Sequence, residues 1–429
     1  MNHPVSPDGV FPSACPLDCA DTCSLTGTRS EGRVGDVRGR SANPSPRATI
    51  CAKVAKAMPR QVHGPGRLHQ PLLLDGPPGS GAFRPVSWKE ALDVIHQNFT
   101  AIIDTHGAQA IAPLTYGGPM GLLAGGSMDK RFFNRLGASE VDSSPLCAGV
   151  SGAAWDSVFG DVGGTPYAEI GDAGLIVIWG NNITACNLHL TTLIRDARKR
   201  GARLVVVDPR RTRIADDADL HLPLLPGTDV VLAYAVAALI AARGGLDHAF
   251  IAEHVQGAEV FLAEAAKYTP QRAAQLCGLN EEAISQFAGW WCDIKPAIIS
   301  AGVGPERNRN GGSGLRAMMA LPALTGNFGP TGAGICDVSG FFPVARDALA
   351  RPDLRSGDSR EFNVLDLPRH ILNPGSALPI KGLFIYNHNP VAVHPRAGEM
   401  RAALLSESVF VVGSDISMTD SMACCDVIL

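Results

Sequence analysis

The stretch LIVIWGNN, residues 175–182, is apolar over its first five positions and ends in a glycine and two asparagines. A run that is apolar at every position, rather than at alternate ones, is typical of a strand covered on both faces. Four further runs share this pattern: LVVVD at 204–208, AIISAGV at 297–303, LFIY at 383–386 and VFVVG at 409–413. Helical patterns separate several of them, such as the one at 188–201. We therefore predict an α/β fold built on parallel sheets.

The segment that follows Ser87 carries both the start signal and the periodicity of a helix. Ser87 and Glu90 form a capping box, and apolar residues then recur at helical spacing until Gly107. They are Trp88, Ala91, Leu92, Ile95, Phe99, Ile102 and Ile103. The apolar run at 230–242 is too short to cross a membrane, so we predict a buried helix there.

The composition is that of a well-buried globular protein. Of 429 residues, 45% are apolar and 18% are charged, which indicates two or three domains and argues against disorder. The formal net charge is -4 and no run is basic, so nucleic acid binding is not expected. The first residues, MNHPVSPDGVFPSA, lack the apolar core of a signal peptide, so we expect a cytoplasmic protein.

Cysteines cluster near the N-terminus in the stretch CPLDCADTC, residues 15–23, and Cys51 follows. The spacing is C-x3-C-x3-C-x27-C, and four thiolates are what a four-iron cluster needs. Zinc also accepts four thiolates, but its loops usually pair cysteines two by two. The spacing favours iron and sulfur over zinc, and both over free buried thiols. For the cysteines at 186, 277, 292, 336, 424 and 425 we expect small apolar core residues.

Polar side chains follow the predicted strands where each strand ends. They are Asn181, Asn182, Asp208, Arg210, Arg211, Asn387, Asn389 and Asp415. Ligands of parallel sheets bind at this edge, and such a set suits the bases, riboses and phosphates of nucleotides. The dinucleotide fingerprint G-x-G-x-x-G is absent, so a nicotinamide site is not expected. Because both halves of the chain show the pattern, it predicts two nucleotide-like ligands.

Several motifs, taken in order, resemble one family of enzymes. Besides the N-terminal cysteines they are CAK at 51–53, GRLHQPLL at 66–73, FRPVSWKEALDVI at 83–95, WGNN at 179–182, VDPRRT at 207–212, LPGTD at 225–229 and YNHNP at 386–390. From Cys15 onward the chain resembles the molybdopterin oxidoreductases of the dimethyl-sulfoxide-reductase type. This group includes formate dehydrogenases and nitrate, thiosulfate and polysulfide reductases.

The resemblance implies a 4Fe-4S cluster and two molybdopterin guanine dinucleotides that chelate molybdenum or tungsten. It assigns the cluster to Cys15, Cys19, Cys23 and Cys51. Lys53 matches a lysine between cluster and pterin, where its charge would ease the addition of an electron. One dinucleotide would be held by Asn182, Asp208, Thr212, Gly227 and Asp229, and the other by Asn387, Asn389 and Asp415.

The family's metal also takes one protein side chain as a ligand, and the resemblance makes Cys147 the candidate. Cys147 lies in SSPLCAGVSGAAW, residues 143–155, and a thiolate suits this soft metal chemistry. From the residues alone, a core thiol in a loop of small residues is the alternative. Formate dehydrogenases have a histidine after this ligand where the chain has Ala148, which argues against formate as the substrate.

The resemblance also implies the domains and the reaction. We expect a cluster domain at 1–65, a discontinuous α/β domain at 66–150 and 336–429, and an inserted Rossmann-like α/β domain at 151–335. The reaction would be a two-electron oxidation or reduction, or an oxygen-atom transfer, of a small molecule. Electrons would pass through the cluster to a redox partner protein or subunit.

The last segment departs from the family pattern. Ser417, Ser421 and the pair Cys424 and Cys425 replace the expected aromatic, threonine and Tyr-Ala residues, and the family's C-terminal dinucleotide-binding domain is expected to be missing. The alternatives are therefore a truncated, non-catalytic cluster-binding fragment or one half of a split enzyme. A zinc-stabilised nucleotide-binding protein is a further alternative.

Overall fold

A computed structural model describes residues 8–17, 19–40, 48–117, 126–336, 345–358 and 360–429. Its N-terminal part is a small antiparallel sheet of β1 (Gly9–Ala14), β2 (Ser24–Ser30) and β3 (Arg33–Gly39), in that order. The loop from β1 to β2 carries the first cysteines. A π-helical turn, Lys53–Ala57, then leads into α1 (Met58–His63). Cys23, Leu25 and Val54 form the buried core of this part.

The later strands are short and mostly apolar. They are β4 (Leu72–Leu74), β5 (Phe83–Pro85), β6 (Ile111–Thr115), β7 (Glu140–Asp142), β8 (Leu175–Trp179), β9 (Arg203–Val207), β10 (Leu220–Leu222), β11 (Ala297–Ala301), β12 (Gly334–Cys336), β13 (Glu361–Asn363), β14 (Gly382–Tyr386), β15 (Phe410–Ser414) and β16 (Val427–Ile428). Each of the five apolar runs in the sequence contributes one of these strands, so that prediction is confirmed.

The contiguous sheet, as we call it, has the strand order β10-β9-β8-β11-β12 and uses only strands from residues 175–336. All its pairs are parallel. The central strand β8 is buried at every position, which explains why its sequence is apolar throughout rather than alternating. Two buried cores lie against this sheet, one on each face.

The split sheet has the order β5-β4-β16-β15-β14-β6, and its strands come from both ends of the chain. The pairs among β6, β14, β15 and β16 are parallel. The pairs of β4 with β16 and with β5 are antiparallel, so this sheet is mixed. A separate parallel pair joins β7 to β13. The predicted α/β class is confirmed, with an antiparallel edge that the apolar runs did not indicate.

Helices cover both sheets. They are α2 (Trp88–His106), α3 (Met128–Leu136), α4 (Gly149–Phe159), α5 (Ile183–Cys186), α6 (Leu188–Lys199), α7 (Arg213–Asp216), α8 (Asp229–Ala242), α9 (His248–His254), α10 (Ala258–Ala265), α11 (Pro270–Cys277), α12 (Glu281–Asp293), α13 (Gly311–Leu324), α14 (Arg346–Ala350), α15 (Leu367–Leu372), α16 (Pro390–Val393) and α17 (Ala397–Leu404). Helix α8 is the buried helix predicted at 230–242. In the ranges that the structure describes, no helix is both long and apolar enough to span a bilayer.

Helix α2 begins at the predicted cap, where the Ser87 side chain accepts a hydrogen bond from the Glu90 backbone N–H. Its buried residues are Ala91, Ile95 and Phe99, one stripe at a spacing of four. Trp88 and Leu92 were expected on the apolar face, but they are 56% and 52% exposed. The expected face was too wide, because these two residues lie one position away from the stripe that contacts the sheet.

Candidate cluster and dinucleotide sites

The cysteine loop between β1 and β2 brings the N-terminal thiols together. Its ends are joined by a hydrogen bond of 2.9 Å from the Cys15 N–H to the Cys23 carbonyl. Burial raises the pKa of the Cys23 thiol to about 11, and the charges of Asp21, Cys15, Cys19 and Cys51 act in the same direction. Cys15 and Cys51 pack against the small core that contains Cys23. A positively charged metal cluster would remove this repulsion and favour the thiolates, so the residues fit a four-iron cluster.

This loop packs against the segment that follows β8. The Cys19 thiol donates to the Cys186 carbonyl oxygen at 3.3 Å, and the His189 backbone N–H donates to the Asp21 carboxylate at 3.3 Å. Cys186 was expected to be a core thiol, but its side chain is exposed. The reason is that helix α5 is a single short turn at the edge of the sheet, where its last residue meets the cysteine loop.

The side chain of His189 also contacts the cysteine loop, and this residue was not predicted from the sequence. Its Nε2 lies 2.8 Å from the Thr49 carbonyl oxygen and 3.5 Å from the Cys23 sulfur. Donor atoms of Asp21, Cys23 and His189 lie within 4.8 Å of one another, close enough for one metal ion. The zinc alternative therefore has a geometric basis as well. No spacing signal links Cys23 to His189, because folding alone brings them together.

Lys53 begins the π-helical turn after Cys51. Burial raises the pKa of the Cys19 thiol, and the positive charge of Lys53 opposes this increase. The charge of Lys53 therefore acts on the cysteine loop.

The first set of dinucleotide candidates lies at the carboxyl end of the contiguous sheet. Asn182 follows β8, and its side chain accepts a hydrogen bond of 2.9 Å from the Thr184 hydroxyl. Asp208 follows β9, and its carboxylate accepts the Arg210 backbone N–H at 2.8 Å. Because Trp179 pairs with Val207, these loops leave the sheet side by side.

Asp229 and Gly227 complete this edge from the turn before α8. The Asp229 carboxylate accepts a hydrogen bond of 2.8 Å from the Trp179 indole N–H. Burial raises the pKa of Asp229, and this hydrogen bond opposes the rise. Gly227 has a φ of +88°, and a Cβ there would lie 3.4 Å from the Asn308 side chain. The positive φ is therefore what favours a glycine here, since 3.4 Å is an ordinary contact distance.

Thr212 tests whether this edge fits a polar ligand. Thr212 is 6% exposed, and its hydroxyl has no hydrogen-bond partner among the described residues. A buried hydroxyl without a partner costs about 1–3 kcal/mol. A ligand with polar groups, such as a dinucleotide, would supply the missing partner, so the residues present fit the group.

The second set lies at the carboxyl end of the split sheet. Asn387 adopts a left-handed conformation with φ +51° directly after β14. The Asn389 side-chain oxygen accepts hydrogen bonds from the Ser421 hydroxyl at 2.6 Å and the Ser421 N–H at 3.3 Å. The Asp415 carboxylate accepts the Ser417 N–H at 3.3 Å. Both serines are departures from the expected pattern, and each one bonds to a candidate residue.

A buried histidine pair, His388 and His394, lies in the same region and was not predicted. Their Nε2 atoms are 2.7 Å apart, so one ring donates to the other. Burial lowers the pKa of His394 to about 4. Burial also lowers the pKa of His388 to about 3, with a smaller effect from His394. The HNP part of the YNHNP motif, read as a dinucleotide loop, gave no indication of this pairing.

The candidate metal ligand Cys147 is half-buried and lies between the two sheets, in the turn before α4. On one side, the Ser143 hydroxyl donates to the Thr115 carbonyl at the end of β6, at 3.1 Å. On the other side, Ser151 in the first turn of α4 donates to the Glu306 carboxylate, which follows β11. The Cys147 segment is therefore attached to the carboxyl ends of both sheets.

Comparisons with known proteins agree with this architecture. The family model for the molybdopterin oxidoreductase Fe4S4 domain matches residues 9–63, and the model for molybdopterin oxidoreductase matches residues 67–429. The cofactors of these domains are a 4Fe-4S cluster and a molybdopterin-bound molybdenum or tungsten. The structure is similar to an acetylene hydratase from Pelobacter acetylenicus, with a TM-score of 0.85 over 97% of this chain and 62% of that one. At 21% identity that likeness concerns the fold alone.

Curated relatives extend the likeness to the sequence. The probable oxidoreductase YoaE of Bacillus subtilis is 35% identical over 98% of this chain. The alpha subunit of an F420-dependent formate dehydrogenase of Methanocaldococcus jannaschii is 28% identical over 98%. The chain spans 62% and 63% of the lengths of these two relatives. With both of its domains matched, the chain belongs to the molybdopterin oxidoreductase family.

Proposed function

We propose that this chain carries out the metal-centred, two-electron step of an oxidoreductase and transfers single electrons through its cluster to a redox partner protein or subunit. The observation that carries the proposal is the interface between the cysteine loop and residues 182–189. The single turn α5 has Asn182, a candidate for the first dinucleotide, at one end and Cys186 at the other. The Cys186 carbonyl oxygen accepts a hydrogen bond from the Cys19 thiol. The cluster and the pterin would thus be neighbours, which is what electron transfer between them needs.

The proposed roles of the residues follow from their places. Cys15, Cys19, Cys23 and Cys51 would hold the cluster, and Lys53 would favour its reduced form by charge. The residues at the end of the contiguous sheet would hold one dinucleotide, and those at the end of the split sheet the other. Cys147, between the sheets, would bind the metal that both dinucleotides chelate. When bound, the metal supplies the two-electron chemistry, and the protein orients it and limits access of water.

We also propose the division of the chain at 1–65, 66–150 with 336–429, and 151–335. The separate sheets support three such parts, while α4 (Gly149–Phe159) and β12 (Gly334–Cys336) cross the two inner boundaries. The substrate is proposed to be a small molecule that undergoes oxygen-atom transfer or a two-electron oxidation or reduction. Ala148 places a methyl group beside Cys147 where a histidine would supply a proton carrier. This argues against formate, although one relative is named as a formate dehydrogenase subunit.

Metal analysis of anaerobically purified protein tests the proposal. We expect about four iron atoms per chain, from the four-thiolate count, together with molybdenum or tungsten and pterin. Cys19→Ser should lose most of the visible absorbance of the cluster. Cys292→Ser, which alters a half-buried thiol outside the cysteine loop, is the matched control and should keep it. About one zinc and no iron would instead support a zinc site, either at the four cysteines or at Asp21, Cys23 and His189.

A further inference from the structure

Glu306 is a buried carboxylate that the proposed function does not use. Its side chain is 0% exposed, and it lies in the loop between β11 and α13. Oε2 accepts hydrogen bonds from the Ser151 N–H at 2.7 Å and the Ser151 hydroxyl at 2.9 Å. Oε1 makes no hydrogen bond within the described part of the chain, and the Arg307 guanidinium lies 3.7 Å from it. Since burying a carboxylate is costly, such a residue calls for an explanation.

The Ser151 bonds make Glu306 a helix cap supplied from a distant segment. Ser151 is the third residue of α4, and N–H groups in the first turn of a helix have no partner within the helix. The N-cap residue is Ala148, and no side-chain cap is present there. A carboxylate at this end also interacts favourably with the helix dipole. Glu306 therefore fixes where α4 begins, only a few residues after Cys147.

The loop that contains Glu306 is also hydrogen-bonded to the loop that carries Asn182. The Gly302 N–H donates to the Trp179 carbonyl at 2.9 Å, and the Gly304 N–H donates to the Gly180 carbonyl at 3.3 Å. These bonds hold the loop of Glu306 against the end of β8. A Cβ at Gly311 would lie 2.5 Å from the Glu306 Cα, so the loop closes tightly behind this residue. The carboxylate is thus held firmly on the contiguous sheet.

We propose that Glu306 is a positioning residue that sets the place of Cys147 relative to the dinucleotide edge of the contiguous sheet, acting through Ser151. The inference rests on the proposed role of Cys147 as a metal ligand. A displacement of about 1 Å in such a ligand alters reactivity strongly, so an anchor of this kind has a function beyond stability. Glu306 itself makes no contact with the reacting atoms in this scheme.

Amide hydrogen exchange of the full, cofactor-loaded chain provides the test. In Glu306→Ala, exchange at residues 150–152 should rise about tenfold or more, since a hydrogen bond to a charged group contributes about 1.5–3 kcal/mol. Glu306→Gln keeps an oxygen that can accept both bonds, so exchange should stay within about threefold of wild type. The control is Ser157→Ala, on the same helix, whose hydroxyl bonds to the Ala154 carbonyl at 2.7 Å. It should leave residues 150–152 unchanged.

A spectroscopic readout separates positioning from stability. The electron paramagnetic resonance signal of the half-reduced metal should shift in Glu306→Ala and return to the wild-type form in Glu306→Gln. A signal in Glu306→Ala that matches wild type would overturn the proposal, whether or not exchange rises. If Glu306→Ala does not fold, Ser151→Ala should still raise local exchange a few fold, and no rise there would also overturn it.

The failure of the proposed function would look different. X-ray absorption of wild-type protein that shows no protein sulfur at the metal would remove Cys147 as a ligand. Faster exchange at residues 150–152 in Glu306→Ala would then still support Glu306 as the anchor of this segment. The two ideas are therefore tested by separate measurements.

Discussion

The carboxyl ends of the contiguous sheet and the split sheet carry similar residues, yet the structure uses them differently. At the first, the Thr212 hydroxyl is buried without a partner among the described residues. At the second, Asn389 bonds to Ser421, and Asp415 bonds to Ser417. The first edge thus leaves one dinucleotide candidate, Thr212, without a partner, while Asn182, Asp208 and Asp229 are bonded within the chain. At the second edge the buried atom without a partner among the described residues is Nδ1 of His394, which is not a dinucleotide candidate. Residue type at a strand end therefore indicates a polar site. The hydrogen-bond partners within the chain determine which of its atoms are left to bind a ligand.

The largest expected effect of a single substitution concerns what supports the first edge. Trp179 ends β8, is fully buried, and donates its indole N–H to Asp229. Trp179→Ala should lower the free energy of unfolding by about 3–5 kcal/mol, the range for large aromatic truncations in a core. Trp88→Ala is the matched control, because Trp88 is 56% exposed, and it should cost far less. Urea unfolding followed by circular dichroism measures both, and equal losses would contradict this view of the first edge.

The histidine pair predicts a pH dependence of stability at the second edge. Burial lowers the pKa of His394 to about 4 and that of His388 to about 3, whereas unfolded histidines titrate near 6.5. Below pH 6.5 the unfolded chain binds protons that the folded pair does not bind. Stability should therefore fall by about 2.5–3 kcal/mol for each histidine, or about 5 kcal/mol for the pair, as the pH drops from 6.5 towards 4.

The variant His394→Leu sharpens this test, because it replaces one titrating group with an apolar side chain of similar size. Its urea midpoint should fall less between pH 6.5 and 4 than that of wild type. His96→Leu, which alters a histidine on the exposed face of α2, serves as the control. A wild-type slope in His394→Leu would show that the acid sensitivity comes from other groups.

Removing one hydrogen-bond acceptor from each edge compares them directly. Asp229→Ala leaves the buried indole N–H of Trp179 without its partner, so it should cost about 1–3 kcal/mol. Asn389→Ala leaves the Ser421 hydroxyl without its acceptor, and Ser421 is fully buried. The two losses should be of similar size. A cost near zero for Asn389→Ala would show that the internal bonds of the second edge do not stabilise it.

The smallest expected loss of stability is that of Thr212→Val. The variant removes a buried hydroxyl that has no partner in the described chain and relieves its cost of about 1–3 kcal/mol, so ligand-free protein should lose no stability. Retention of pterin dinucleotide after gel filtration should nevertheless fall, because the ligand loses a partner. Ser421→Ala should show the opposite balance, with a loss of stability in the ligand-free protein. Unchanged retention in Thr212→Val would mean that its hydroxyl does not face the ligand.

The strands could be predicted because complete burial leaves a local mark, as in β8, where every position is apolar. The cap at Ser87 was equally local and is present. The width of the apolar face of α2 was overestimated, since Trp88 and Leu92 lie beside the contact stripe rather than on it. Glu306, His189 and the pairing of His388 with His394 could not be predicted. Tertiary folding brings these residues to their partners, and no spacing in the sequence predicts the contacts.

The split sheet has a consequence for the order of events during synthesis. Strand β6 pairs with β14, and β4 pairs with β16, so most of the chain lies between the partners. Translation releases β4 and β6 long before those partners exist, and contacts so distant in sequence form slowly. The contiguous sheet needs only strands from within 175–336 and is complete much earlier. We therefore expect the first dinucleotide edge to fold first, while the chain is still on the ribosome. The second edge can form only after the last strands have been synthesised.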